Sequence, residues 1–205
     1  MPINIPTTLT WLRILLIPVF VGVYYLPDAW LAPAGKNWLA MSIFAVAAIT
    51  DWLDGWLARR LGLTSAFGAF LDPVADKLVV AVALVLLLSK DLPSDLASLW
   101  HMSADRARML LALTAIVIIG REIAISALRE WMAELGQRGK VAVSAVGKYK
   151  TILQIIGLSM MLFRWDLFGI PIFSLGALLT VLAAAFTLVS MFSYLRAAWP
   201  ELKRQ

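Results

Sequence analysis

At 205 residues the chain has the length of one domain, yet 61% of it is hydrophobic and only 15% charged, against roughly 45–50% and about 25% in soluble domains. One core of that size cannot bury so much apolar surface, so the composition predicts an all-α integral membrane protein with lipid covering the remainder. The formal net charge of +5 sits at the ends of apolar runs rather than on a solvated basic face, which excludes nucleic acid as a partner, and the absence of cysteine excludes disulfides, thiol catalysis and thiolate metal sites.

Six uncharged runs follow one another: Ile14–Pro27, Asn37–Thr50, Leu78–Ser89, Met109–Gly120, Thr151–Phe163 and Leu167–Leu195. A spanning helix needs about 20 residues, so most of these runs must continue through ionisable residues at one end. Pro2–Thr8 is expected to lie along the interface ahead of the first span. With no basic region before it and Arg13 inside it, that first segment reads as retained rather than as a cleaved signal. The odd-numbered runs carry their polar residues at the start: Arg13, then Asp72, Asp76 and Lys77, then Lys148 and Lys150. The even-numbered runs carry them at the finish: Asp51, Asp54 and Arg59, then Arg121 and Glu122, then Arg196. Consecutive spans run in opposite directions, so all these ends meet at one membrane face and predict one polar cavity there.

Orientation follows from the cations near the span ends. Lys36, Lys90, Arg106, Arg108 and Arg164 fall on one side; the other 13 of the 18 lysines and arginines, among them Arg138, Lys140, Lys203 and Arg204, fall with the polar ends. The polar face is therefore expected to be cytoplasmic, with both termini inside. Arg121–Lys150 predicts a long helix extension and a turn around Gly136–Gly139. No linker or repeat divides residues 1–205, which read as a single membrane domain.

The segment 51–77 holds the chemistry. Asp51 and Asp54 stand three apart, and Asp72 and Asp76 four apart, so each pair shares a helical face. Two antiparallel neighbours would bring the pairs together, and four carboxylates that close cannot all stay ionised without cations. Mg²⁺ or Mn²⁺ with oxygen ligands is the natural remedy, and two ions could hold a diphosphate and stabilise displacement at phosphorus. Gly55, Ala58 and Gly68 leave room for a ligand, and Arg59 offers a fork of donors to phosphate. Pro73 is expected to bend or to start the third helix. A single charged residue at a span end can simply reach for water; eight residues in fixed register, five of them charged and each suited to one ligand, have a joint purpose.

The pattern Asp51-x2-Asp54-Gly55-x2-Ala58-Arg59-x8-Gly68-x3-Asp72-x3-Asp76 resembles, without departure, the signature of the CDP-alcohol phosphotransferases. That resemblance implies a six-helix membrane enzyme, a homodimer, that moves a phosphatidyl group from a CDP-linked donor to an alcohol and releases CMP. It implies that Asp51, Asp54 and Asp72 hold divalent metal, and that Asp76 lies by the metals and serves as base for the acceptor hydroxyl. It further implies that Asp54, Gly55, Ala58, Arg59 and Gly68 bind the CDP moiety. The segments "NIPTTLTWLRILLIP", "FGAFLDPVADK", "GREIAISALREW" and "SAVGKYKTILQ" are similar to bacterial members that use CDP-diacylglycerol and glycerol 3-phosphate, which implies an inner-membrane location. Cations beyond those needed by the diphosphate suit a phosphorylated acceptor: Arg121, Lys148 and Lys150 foremost, then Arg13 and Arg129. His101 falls on the opposite side and cannot serve a cytoplasmic site. Other readings are a relative with phosphatidylglycerol, serine or an inositol phosphate as acceptor, and a divalent-cation transporter. The transporter would need a polar path through the runs 78–89 and 109–120.

Overall fold

The computed structural model describes residues 5–61, 66–137 and 145–203, and the described residues form helices and connecting loops with no strand. Seven helices follow in order: α1 (Ile5–Tyr25), α2 (Pro33–Leu61), α3 (Ala66–Ser89), α4 (Ser94–Leu99), α5 (Ala104–Glu134), α6 (Ala145–Phe163) and α7 (Ile172–Leu202). Six are long, and the short α4 caps the loop between α3 and α5. Among the described residues four helices are long and apolar enough to cross a membrane: Thr8–Tyr25, Pro33–Leu57, Ala104–Glu134 and Ile172–Pro200, with Tyr149–Phe163 a shorter apolar helix. Large apolar side chains such as Leu15, Ile49, Val85, Ile116 and Phe192 stand exposed on the outer helix faces, as they do where lipid is the solvent.

The helices do run through their charges. α2 passes Asp51 and Asp54 to end at Leu61, α5 passes Arg121 and Glu122 to end at Glu134, and α3 starts before Asp72. Pro73 consequently lies inside α3 and does not start it; its missing amide removes a helical hydrogen bond next to Asp72. Helix α5 ends in a turn with Gly136 at φ 71°, a conformation that favours glycine. Gly139, Arg138 and Lys140 lie outside the described residues, as do Pro2, Arg204 and the first residues of the N-terminal segment. The sixth apolar run divides: Leu167–Ile170 closes a tight reversal, with Phe168 at φ 53° and Gly169 at φ 77°, and Pro171 then leads into α7.

The core gathers Phe20, Phe44, Leu84, Leu87, Leu111, Ile118, Leu158, Leu162 and Phe173 from the long helices. The closest approach is between α6 and α7, where two glycines face each other. A Cβ built on Gly176 would sit 2.6 Å from the Gly157 carbonyl oxygen, and one on Gly157 would sit 2.6 Å from Thr180 Oγ1 and 2.8 Å from the Gly176 oxygen. Neither backbone can yield to such a contact, and small residues are how helices come this close in lipid. Gly176→Val is expected to destabilise the bundle by at least about 1–3 kcal/mol, read as a lower thermal unfolding midpoint in detergent. Gly22→Ala, where a Cβ meets nothing within 4 Å, serves as the control and should not lower it.

Candidate functional site

The polar ends of the six long helices converge at one end of the bundle. Arg13 on α1 is fully buried and donates from Nη1 to Asp51 Oδ1 at 2.6 Å and from Nη2 to Asp54 Oδ2 on α2. Three residues earlier on α1, Thr10 Oγ1 donates to Asp72 Oδ1 on α3. Lys77, next to Asp76 on α3, donates to Ser126 of α5. Lys150 on α6 pairs with Glu122 of α5. Arg121 donates to Ser190 of α7 at 2.9 Å, and Arg129 donates to the Tyr194 hydroxyl at 2.8 Å. Polar groups buried in an apolar bundle must find partners, and these cross-links tie α1 to α2 and α3, and α5 to α3, α6 and α7.

Two connected halves result. On one, Asp54 is buried, Asp51 and Asp72 are half-buried and Asp76 is exposed. Gly55 and the buried Gly68 stand on the same two helices. Ala58 and Arg59 follow on the last turns of α2, with their side chains outside the described residues. The other half is a cavity of about 230 Å³ lined by Asp76, Lys77, Arg121, Glu122, Arg129, Lys150, Gln154 and Tyr194. Asp76 thus belongs to both the carboxylate group and the basic cavity. Arg13 stands with the aspartates and not in that cavity. The Lys148 side chain lies outside the described residues.

The cavity is built to take negative charge. The Arg121 and Arg129 guanidinium carbons lie 5.5 Å and 5.1 Å from the Tyr194 ring centroid, so one aromatic ring holds both. The Nε atoms of both arginines and Gln154 Oε1 are buried without a hydrogen-bond partner, and such atoms call for a ligand or water. Glu122 offsets Lys150 and part of Arg121, leaving surplus positive charge.

The aspartate half has the opposite sign. Four carboxylates face one described guanidinium, Arg13, and their all-oxygen, anionic donor set suits hard divalent cations. Among the described residues no three such ligands gather into one metal-binding group; Arg13 lies between Asp51 and Asp54, while Asp72 turns to Thr10. The residues fit divalent cations by charge and donor type, with Arg13 the internal counter-ion that such cations would relieve.

Sequence reasoning passed over Thr10, Ser126, Gln154, Ser190 and Tyr194. Thr10 lies three residues before Arg13 and Gln154 four after Lys150, so helical spacing from a known site residue would have found both. Tyr194 was hidden because an aromatic at the end of an apolar run looks like lipid-facing bulk. Between this end of the bundle and the other, Leu84, Leu87, Leu88, Leu111, Thr114, Met161 and Thr180 enclose only about 10 Å³, room for about one water. Thr114 and Thr180 donate to carbonyls of their own helices. Among the described residues no polar path crosses the bundle there, which counts against a transporter.

A model of the CDP-alcohol phosphatidyltransferase family matches residues 3–194. A CDP-diacylglycerol–glycerol-3-phosphate 3-phosphatidyltransferase of Pseudomonas fluorescens is 49% identical over 201 residues, which cover 98% of this chain and 92% of the relative. Proteins of the same name from Shigella flexneri serotype 5b and Escherichia coli K12 are each 47% identical over 205 residues, the whole of both chains.

Proposed function

The chain belongs to the CDP-alcohol phosphatidyltransferase family, and from that membership we propose that it transfers the phosphatidyl group of CDP-diacylglycerol to sn-glycerol 3-phosphate, giving phosphatidylglycerol phosphate and CMP. The full-length similarity to relatives of that name supports the substrates. The single structural observation that supports the chemistry is the cavity shared by Asp76 with Arg121, Arg129 and Lys150. In this reading Arg121 and Lys150, with Lys148, Arg129 and Arg13 as further candidates, hold the acceptor's phosphate. That leaves the acceptor hydroxyl beside Asp76, which takes its proton as the oxygen attacks the lipid-side phosphorus. The bond to CMP breaks and CMP departs with the electron pair. Asp54, Gly55, Ala58, Arg59 and Gly68 bind the CDP moiety, the glycines admitting the nucleotide and Arg59 its phosphate.

Asp51, Asp54, Asp72 and Asp76 would hold two divalent cations, Mg²⁺ or Mn²⁺, which when bound neutralise the diphosphate and the charge developing at phosphorus. The reading includes a homodimer of six-span subunits, each with an N-terminal interfacial segment, in the bacterial inner membrane. At 24 and 19 residues, α3 and α6 reach roughly 36 Å and 28 Å, comparable to a hydrocarbon core of about 30 Å, which supports counting them as spans. The cation distribution supports a cytoplasmic site with both termini inside.

Purified protein given CDP-diacylglycerol, Mg²⁺ or Mn²⁺ and radiolabelled glycerol 3-phosphate is expected to release CMP and to make label extractable into organic solvent. Label entering lipid only from phosphatidylglycerol, serine or an inositol phosphate would reassign the acceptor; no CMP with any alcohol would refute the class. Chelation with EDTA should abolish turnover, and added Mg²⁺ or Mn²⁺ should restore it. Activity that survives exhaustive chelation would remove the metal from the reading.

A further inference from the structure

The opposite end of the bundle carries a second, larger cavity that the transferase reaction does not use. It encloses about 520 Å³ and is lined by Tyr24, Tyr25, Lys36, Lys90 and Arg164 among others. Asp51 follows Lys36 by fifteen positions along α2, which separates the two sites by roughly 22 Å of helix. Three cations arrive here from three elements: Lys36 from the first turn of α2, Lys90 from the end of α3 and Arg164 from the end of α6.

Their charges are only partly matched. Lys36 is buried, pairs with Asp28 and donates to the Leu26 carbonyl at 2.9 Å. Asp28, which is mostly exposed, is the one carboxylate lining the cavity among the described residues. Lys90 Nζ lies 4.0 Å from the Tyr24 ring centroid, and Arg164 donates to the Asp91 carbonyl oxygen. The Asp91 carboxylate is committed to Arg108 at 2.9 Å. Burial, then repulsion from Lys36 and Arg164, holds the Lys90 ammonium below the usual lysine value, with Asp28 opposing. An anion in the cavity would relieve that repulsion. Arg164 is also held at φ 68°, a left-handed position where glycine ordinarily ends a helix. A long cation stands there at a conformational disadvantage.

The surroundings identify the anion's carrier. Tyr25 and Trp165 stand exposed in the cavity wall, and Trp30 and Trp38, close in sequence to its lining residues Asp28 and Asn37, are exposed as well. Exposed Trp and Tyr at the ends of spanning helices mark the depth of the lipid headgroups. Large apolar side chains such as Leu39 and Val46 on α2 and Val85 on α3 stand exposed further along the same helices, where acyl chains would lie. We propose that this cavity binds the phosphate of an anionic phospholipid in the leaflet opposite the catalytic one, held by Lys36, Lys90 and Arg164. The site is independent of the transferase reading, since it shares no residue with that machinery.

The test is photo-crosslinking of the full chain in nanodiscs holding a headgroup-proximal diazirine probe on phosphatidylglycerol or, separately, on phosphatidylcholine. Peptide mapping is expected to place the phosphatidylglycerol label on segments 24–37, 90–93 and 164–165, with labelling about tenfold above phosphatidylcholine, an affinity ratio of about 1.4 kcal/mol. Lys90→Gln combined with Arg164→Gln should lower that label about tenfold towards the phosphatidylcholine level while CMP release stays at the wild-type rate. Lys90→Arg should keep the label. Equal labelling by the two lipids overturns the proposal, as does labelling unchanged in the double variant. Displacement of the label by millimolar inorganic phosphate, with no lipid retained in native mass spectrometry, overturns it in favour of a soluble anion. Loss of CMP release in wild type with labelling intact would refute only the transferase reading.

Discussion

Asp76→Asn is expected to lower CMP release roughly 10³-fold, within the range general-base catalysis supplies, while the protein stays folded. The amide keeps the shape of the carboxylate but can neither take the acceptor's proton nor offer a charged oxygen to a cation. Asp76 is exposed to the cavity rather than packed in the core, so the change leaves the bundle intact, and the unfolding midpoint in detergent should move little. The metal titration separates its two proposed roles. A fall in kcat with the Mg²⁺ dependence unchanged identifies a base, whereas a raised metal requirement identifies a ligand. Near-normal turnover would remove Asp76 from both.

Arg121→Ala is expected to raise KM for glycerol 3-phosphate roughly 10- to 100-fold, the loss of a charge-assisted hydrogen bond of about 1.5–3 kcal/mol, with KM for CDP-diacylglycerol unchanged. The guanidinium is buried between Ser190 and the Tyr194 ring, its Nε without a partner, so its removal opens space facing the cavity. Arg121→Lys should recover part of the loss, because it restores charge but not the planar fork. A purely structural role would lower stability and damage turnover with every acceptor alike. The discriminating measurement is therefore a neutral alcohol assayed beside glycerol 3-phosphate. If both suffer equally, Arg121 does not read the acceptor's phosphate.

Much of this was legible along the chain. The alternation of charged residues between starts and finishes of apolar runs predicted that the polar ends meet, and the pairs from Arg13 to Asp51, Lys150 to Glu122 and Arg121 to Ser190 bear that out. Helices that continue through their charges follow from the length a span requires, as α2 and α5 show. The long extension after Arg121 was legible too, because no proline or glycine interrupts residues 121–134.

Two positions show what spacing leaves open. Spacing left open whether Pro73 bends the third helix or starts it, because proline disfavours helix before it; α3 begins seven residues further back, at Ala66, with Pro73 inside it. Arg13 was a secondary candidate for the acceptor phosphate, and in the fold it lies between Asp51 and Asp54. Nothing in the spacing tells α1's cation which neighbouring helix it will meet.

Composition and spacing alone determined that this chain lives in lipid, that it turns one face polar and that its carboxylates come in two helix-borne pairs. Those are properties of single helices, set by periodicity and by the exclusion of charge from hydrocarbon. The tertiary structure alone decided that Asp76 shares a cavity with Arg121 and Lys150, that Tyr194 orients two arginines, and that Gly157 and Gly176 let α6 and α7 touch. It also decided that Lys36, Lys90 and Arg164, far apart in the chain, surround one space. Those are relations between helices, and they depend on rotation and depth that only close packing sets.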